Sequence, residues 1–246
     1  MIDAMAAQLF EQAAERFRQQ SRDMAGQLES ASCFEDASKM YRMAKRMSEC
    51  HACLRHAAGI YAAQDRSMIR AARTHESLGQ SMYSTGDHHE ASNCFEHAAE
   101  LFQHENDLRW VQCVMKVSEC HVALQRYDQA RLALERALDG MKDDAALSFQ
   151  VPGVLLSIGF CYLALSSEDA VRMDKWLISL HDIYPSFTES REYAILCSLN
   201  RAMMNQDADA WDREWQNYTK WTPVGDAWKL KVVEHARAAF NEESLT

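Results

Sequence analysis

With 246 residues, 48% of them apolar and 25% charged, but only 8 glycines and 3 prolines, the chain has ample material for a packed core. Its wealth of Ala, Met, Leu, Glu, Gln and Arg favours helix over sheet, so the expected fold class is all-α. A net charge of −10 argues against a general nucleic-acid role, and an anionic partner would have to meet a local basic face.

No run of about 18 apolar residues and no leader pattern is present, so a soluble, cytoplasmic chain is expected. Most of the 8 cysteines, Cys33, Cys94, Cys113 and Cys161 among them, sit inside apolar helical patterns and read as buried free thiols of a reducing compartment.

An internal repeat opens the chain. Leu9-Phe10-x-x-Ala13-Ala14-x-x-Phe17 returns as Cys33-Phe34-x-x-Ala37-x-x-Met40-Tyr41 and as Cys53-Leu54-x-x-Ala57-Ala58-x-Ile60-Tyr61. Cys94-Phe95-x-x-Ala98-Ala99-x-Leu101-Phe102 and Ala133-Leu134-x-x-Ala137-Leu138 follow. Small alanines at a fixed offset from a bulky residue let neighbouring helices approach closely. Leu78-Gly79-x-x-Met82, Gly86, Ala91, Phe95 and Ala98 match the tetratricopeptide spacing. The next copy (Tyr127, Ala130, Leu134, Ala137) follows after about 39 residues rather than the usual ~34, which implies longer helices.

These signals predict a TPR-like, right-handed α-solenoid of antiparallel helix pairs over residues 1–146. Asp143 to Gly153 reads as a break. Beyond it the helical period persists while the alanine repeat fades, so residues 147–246 are expected to form a C-terminal helical bundle that caps the solenoid. Pro152, Pro185 and Pro223 all fall where the helical period breaks. Trp211, Trp215 and Tyr218 mark one late helix, and Trp228, Val232, Ala236, Ala239 and Phe240 form the stripe of the last. An acidic tail with one leucine, Asn241 to Thr246, follows.

Several stretches resemble the soluble NSF attachment protein (SNAP) family of alpha/beta type. Tyr184-Pro185-Ser186-Phe187-Thr188-Glu189-Ser190-Arg191-Glu192 is similar to the family's Phe-Pro-x-Phe-x-x-Ser-Arg-Glu. Asp226-Ala227-Trp228 resembles its Leu-Asp-x-Trp, and Leu245 stands where the family keeps a penultimate leucine. Ala31-Ser32-Cys33-Phe34-x-Asp36-Ala37 is similar to its Ala-Thr-Cys-Phe-x-Asp-Ala. The resemblance implies a non-catalytic adaptor with two partners. A SNARE four-helix bundle is held on the solenoid, and the hexameric ATPase NSF is recruited to pull that bundle apart. Two departures are visible. The family's extra N-terminal helical segment and paired-phenylalanine loop have no counterpart, and the Gln19–Gln27 connection is polar, so membrane contact is expected to be indirect or weak. Arg201, Met203, Met204 and Asn205 replace the family's acidic cluster, which implies weaker ATPase engagement.

Arg66, Arg70 and Arg73 fall at i, i+4 and i+7, a basic strip suited to an acidic partner. The alternative is an ordinary solvated charged face. The resemblance favours a SNARE-binding strip, because Arg66 and Arg73 match positions that are basic in the family. Arg42, Lys45, Arg109 and Lys116 lie at similar helix positions. The resemblance likewise assigns Glu242, Glu243 and Leu245 to ATPase binding.

Other motifs read as structural. Cys50-His51-Ala52-Cys53 lacks a second ligand pair for zinc and a strand before it for redox work. His88-His89 opens a predicted helix, and Trp211 and Trp215 read as bundle core. No phosphate-binding Gly-x-x-x-x-Gly-Lys-Ser/Thr loop and no nucleophile–base pair stands out, so neither enzymatic activity nor a cofactor or metal is expected. A chaperone adaptor that clamps a C-terminal carboxylate is the rival reading. Its clamp positions hold Gln80 and Glu119, and Glu119 would repel a carboxylate.

Overall fold

The computed structural model describes residues 2–20, 23–142, 144–165, 169–222 and 226–243, with side chains from Asp3 to Ala238. Within them the chain is all-α, and its contacts divide it into two compact units, Met1–Cys120 and His121–Thr246. The sequence signal at 146/147 marks where the alanine repeat fades. Compactness divides the chain earlier, because the last repeat-bearing helix packs on the helix that follows it.

The first unit holds α1 (Ile2–Gln20), α2 (Met24–Met43), α3 (Met47–Ala62), a 3-10 turn (Asp65–Ser67), α4 (Met68–Ser84), α5 (His88–His104) and α6 (Arg109–Ala123), whose last residues pass the boundary. Helices α1 to α5 pack each on the next in chain order. The repeat positions are the core: Phe34, Ala37, Tyr41, Cys53, Ala57, Tyr61, Phe95, Ala98 and Phe102 are all buried. Each large side chain so removed from water contributes about 1.5–3 kcal/mol. At Gly79 α4 comes close to α5, where a Cβ would lie 3.1 Å from the Phe95 ring.

The second unit holds α7 (Tyr127–Met141), a 3-10 turn (Ser148–Gln150), α8 (Val151–Leu163), α9 (Asp169–Ile183), α10 (Pro185–Thr188), α11 (Arg191–Met204), α12 (Ala208–Trp221) and α13 (Ala227–Glu243). Helix α8 is its centre. Every residue from Val154 to Leu163 is buried, as an all-round apolar helix requires, and α7, α9, α11 and α13 pack on it. At Gly159 it approaches α11 so closely that a Cβ would fall 2.5 Å from the Leu196 side chain.

One device closes five of the helix ends. Lys45, Gly86, Asn106, Gln125 and Gln206 take positive φ. The amide after each donates to the carbonyl five residues earlier: Arg46 to Tyr41, Asp87 to Met82, Asp107 to Phe102, Arg126 to His121 and Asp207 to Ala202, at 2.8–3.0 Å. These are Schellman closures, which satisfy the last helical carbonyls. In two of them the next side chain turns at once to start the following helix, where Asp87 accepts from the Glu90 amide and Asp207 from the Ala210 amide.

Several expectations change. The polar α1–α2 connection shrinks to a few residues, because Met24–Gln27 already form the first turn of α2. The Asp143–Gly153 break is shorter than expected, with Pro152 inside the first turn of α8. Pro185 opens α10, whereas Pro223 lies outside the described residues. Trp211 is buried but Trp215 is only partly so, its ring edge-on to Phe160. In α13, Val232 and Ala236 are buried, while the side chains of Ala239 and Phe240 lie outside the described residues. The N-terminal region is less polar than its composition suggested, since Met5, Leu9 (66% exposed), Phe10 and Phe17 project from α1.

Candidate functional site

The first unit carries a groove of about 320 Å³ whose walls come from alternate helices. Helix α2 supplies Arg42, α4 supplies Arg73, Glu76, Ser77 and Gln80, and α6 supplies Gln112 and Lys116. Phe95 of α5 and Cys113 form apolar floor. Burial, with Glu76 second, pushes the Cys113 thiol up to about 12, so it is a neutral wall atom rather than a nucleophile.

Electrostatics sort the basic residues into two kinds. Arg42 donates to Ser77 Oγ at 3.3 Å, and neither it nor Arg73 has a carboxylate partner among the described residues. Lys116 is held by both Glu119 oxygens at 2.8 Å. Arg109 stands at the start of α6, near Glu76, and is bound to Asp107 through three side-chain hydrogen bonds of 2.6–3.2 Å while lying 4.2 Å over the Phe102 ring. Those bonds hold the Asp107 carboxyl below its usual range and raise the Arg109 guanidinium. The groove therefore presents two cations with no directly paired carboxylate among the described residues, Arg42 and Arg73, although Arg73 still helps to hold Asp107 charged; Lys116 in the groove and Arg109 beside it are paired.

The remaining residues of the basic strip lie elsewhere. Arg70 is spent on structure: its guanidinium donates to Tyr61 Oη at 2.7 Å, lies 4.4 Å over that ring and stands 3.9 Å from Glu35. Glu35 also accepts from Tyr61 Oη at 3.2 Å and Thr74 Oγ1 at 3.0 Å, tying α2, α3 and α4 together. Arg66 is not on α4 but in the preceding 3-10 turn, lining a separate cavity with Met24, Gln27 and Gln64. Lys45 is exposed on the left-handed α2–α3 closure. Glu242 and Glu243 belong to the backbone of α13, which runs further than the stripe implied. Their side chains, and all of Leu245, lie outside the described residues.

Sequence reading missed Glu76, Ser77 and Gln112. Arg73, Glu76, Ser77 and Gln80 fall at i, i+3, i+4 and i+7, so the working face of α4 starts where the expected strip ends. Cys50 and Cys53 are both buried in α3, and burial pushes the Cys53 thiol up to about 12, which disfavours redox work.

A protein-family model described as soluble NSF attachment protein, SNAP, matches residues 3–241. The chain belongs to the SNAP family. Similar relatives include the alpha-soluble NSF attachment protein of Dictyostelium discoideum, 24% identical over 78% of this chain and 65% of that protein. The protein of the same name from Vitis vinifera is 25% identical over 88% of this chain and 74% of its own. The chain thus spans about two thirds to three quarters of the length of these relatives. Among solved structures, the crystal structure of aspartyl phosphate phosphatase F from Bacillus subtilis superposes with a TM-score of 0.47 at 15% identity, covering 97% of this chain and 64% of its own.

In this SNAP chain the 184–192 motif has a structural account. Pro185 occupies the first turn of α10, Phe187 is buried with its ring 6.1 Å from that of Tyr193, and Ser190 caps α11 by accepting from the Tyr193 amide at 3.1 Å. The motif thus folds the α9–α11 corner and leaves Arg191 exposed. The described SNAP residues contain no helix long and apolar enough to cross a membrane.

Proposed function

We propose that this SNAP-family chain is a non-catalytic adaptor that binds assembled SNARE four-helix bundles through the α2–α4–α6 groove and recruits and stimulates the hexameric ATPase NSF. The observation that carries the reading is the pair of guanidiniums without a directly paired carboxylate among the described residues, Arg42 and Arg73, on different helices of one groove in a chain of net charge −10. Lys45, Arg66 and Arg70, elsewhere in the first unit, add further SNARE contacts, and Lys116 and Arg109 serve as pre-paired cations. ATPase engagement rests on Glu242, Glu243 and Leu245: an acidic pair steers the segment and one apolar side chain anchors it. Contact with membranes runs through the SNAREs, so the protein acts in the cytoplasm as a peripheral component. Two arms of one experiment separate the halves of the proposal. Arg42→Glu with Arg73→Glu should abolish pull-down by assembled SNARE bundle. Leu245→Ala should retain pull-down and lose SNARE-dependent stimulation of ATP hydrolysis. Undiminished bundle binding by the double reversal at low salt would overturn the groove, and full stimulation by Leu245→Ala would overturn the tail.

A further inference from the structure

The second unit has a groove of its own that the adaptor reading leaves unused. It lies between the start of α11 and the end of α12, which run antiparallel through the Gln206 closure, and has a volume of about 230 Å³. Its apolar lining is Ile195, Tyr218 and Trp221, and Trp221 is 72% exposed. Single exposed apolar residues are ordinary, but an exposed tryptophan at the lip of a concave surface is not explained by folding. Its polar lining includes Arg191, Asn217 and Glu214. Glu214 stands 3.7 Å from Arg213, while Arg191 has no carboxylate partner among the described residues. The groove thus combines a guanidinium unpaired among the described residues, an amide and a largely exposed tryptophan with Lys220 Nζ 5.2 Å from its ring centroid; tryptophan and arginine are residue types that dominate binding hot spots.

We propose that this groove takes a linear segment of a partner protein in which a bulky apolar side chain lies close to an Asp or Glu. The apolar group would cover Trp221 and Ile195, the carboxylate would pair with Arg191, and Asn217 would meet the segment's backbone. The chain's own acidic–leucine segment has matching chemistry, but its side chains lie outside the described residues. Arg237 of α13 binds Asp212 near the start of α12 through bonds of 2.7 and 2.8 Å. Helix α13 therefore runs antiparallel to α12 and ends at the far end from Trp221.

The test is selection of a random displayed peptide library on the full chain, followed by anisotropy with a labelled winning peptide. Winners should carry Asp or Glu within one helical turn of Leu, Ile, Phe or Trp. Arg191→Ala and Trp221→Ala should each weaken the winner about tenfold or more, with unchanged melting, while Glu214→Gln should tighten it about two- to threefold by removing a like charge. Failure to enrich any peptide, winners without an acid, or affinities indifferent to both truncations would overturn the proposal. A labelled peptide of residues 240–246 that binds as tightly as the winner would assign the groove to the chain's own acidic–leucine segment instead. Trp221-dependent flotation with vesicles of phosphatidylcholine and phosphatidylserine would assign it to a membrane. Either result overturns the partner segment.

Discussion

Arg42 and Arg73 should carry more binding energy than Arg109, although all three adjoin one face. A partner carboxylate about 4 Å from an unpaired guanidinium gains about 4 kcal/mol gross at an effective dielectric near 20. Ordering the long arginine side chain costs about 2 kcal/mol, so roughly 1–2 kcal/mol survives, a factor of about 5–30 in affinity. Arg42→Ala and Arg73→Ala should each lower affinity for assembled SNARE bundle by that factor and reduce the salt dependence of binding. Arg109 already spends its charge on Asp107 through bonds as short as 2.6 Å. Removing both, Arg109→Ala with Asp107→Ala, leaves the net charge unchanged and should alter affinity by less than about threefold. Fluorescence anisotropy across a salt series measures all three variants. If the two single truncations leave affinity within about twofold of wild type while the paired removal weakens it strongly, compensation is not what sorts these cations and the reasoning fails.

Gly159→Ala should destabilise the second unit by about 1–3 kcal/mol, because the added methyl meets Leu196 at 2.5 Å against packed helix; an unchanged melting temperature would show that α8 and α11 approach less closely. Gln125→Gly should raise stability by about 0.5–1 kcal/mol, since Gln125 sits at φ 57 where only glycine rests without strain, and chemical denaturation would read the shift. Burial, with His97 next, holds the His75 imidazole below its ordinary 6.5. Its contribution to stability is therefore full above that value and lost as pH falls through the depressed folded value. His75→Gln should flatten the decline in melting temperature between about pH 7 and 5, and parallel declines would count against it.

The core was legible because helical repeats write their packing into local spacing. Alanines at Ala37, Ala57 and Ala98, each behind a bulky residue, lie within single helices, and all three are buried. The turns were less legible. Gly86 announces its closure, but Lys45, Gln125 and Gln206 adopt the same left-handed conformation with side chains that carry no such signal. The candidate groove draws on residue types the sequence singled out, but its α4 face is turned from the expected strip. Arg70 matched the strip by spacing, yet its fate is decided by Glu35, thirty-five residues earlier and on another helix. No local pattern encodes such a partner. The Ser190–Arg191 pair shows the converse. Its resemblance was plain, whereas the division of labour, a cap in Ser190 and a free cation in Arg191, required the α11–α12 geometry.

The groove's composition bears on why an adaptor of this kind would favour an assembled partner. Its walls come from α2, α4 and α6, while α3 and α5 supply buried core, so the distance between Arg42 and Arg73 is set by helix packing rather than by loops. Glu35, shared between Tyr61 and Thr74, ties two of those walls, α2 and α4, to α3. Each such cation offers only a modest, salt-sensitive gain, and Glu76 in the same groove penalises a carboxylate that arrives off register. A flexible partner chain would have to order itself to match this spacing, at about 1–2 kcal/mol per residue fixed, and ordering several residues exceeds what either arginine returns. A preformed helical bundle has already met that cost and presents its acidic side chains at fixed intervals. Rigidity on both sides, rather than the strength of any single ion pair, is what would make recognition specific to the assembled state.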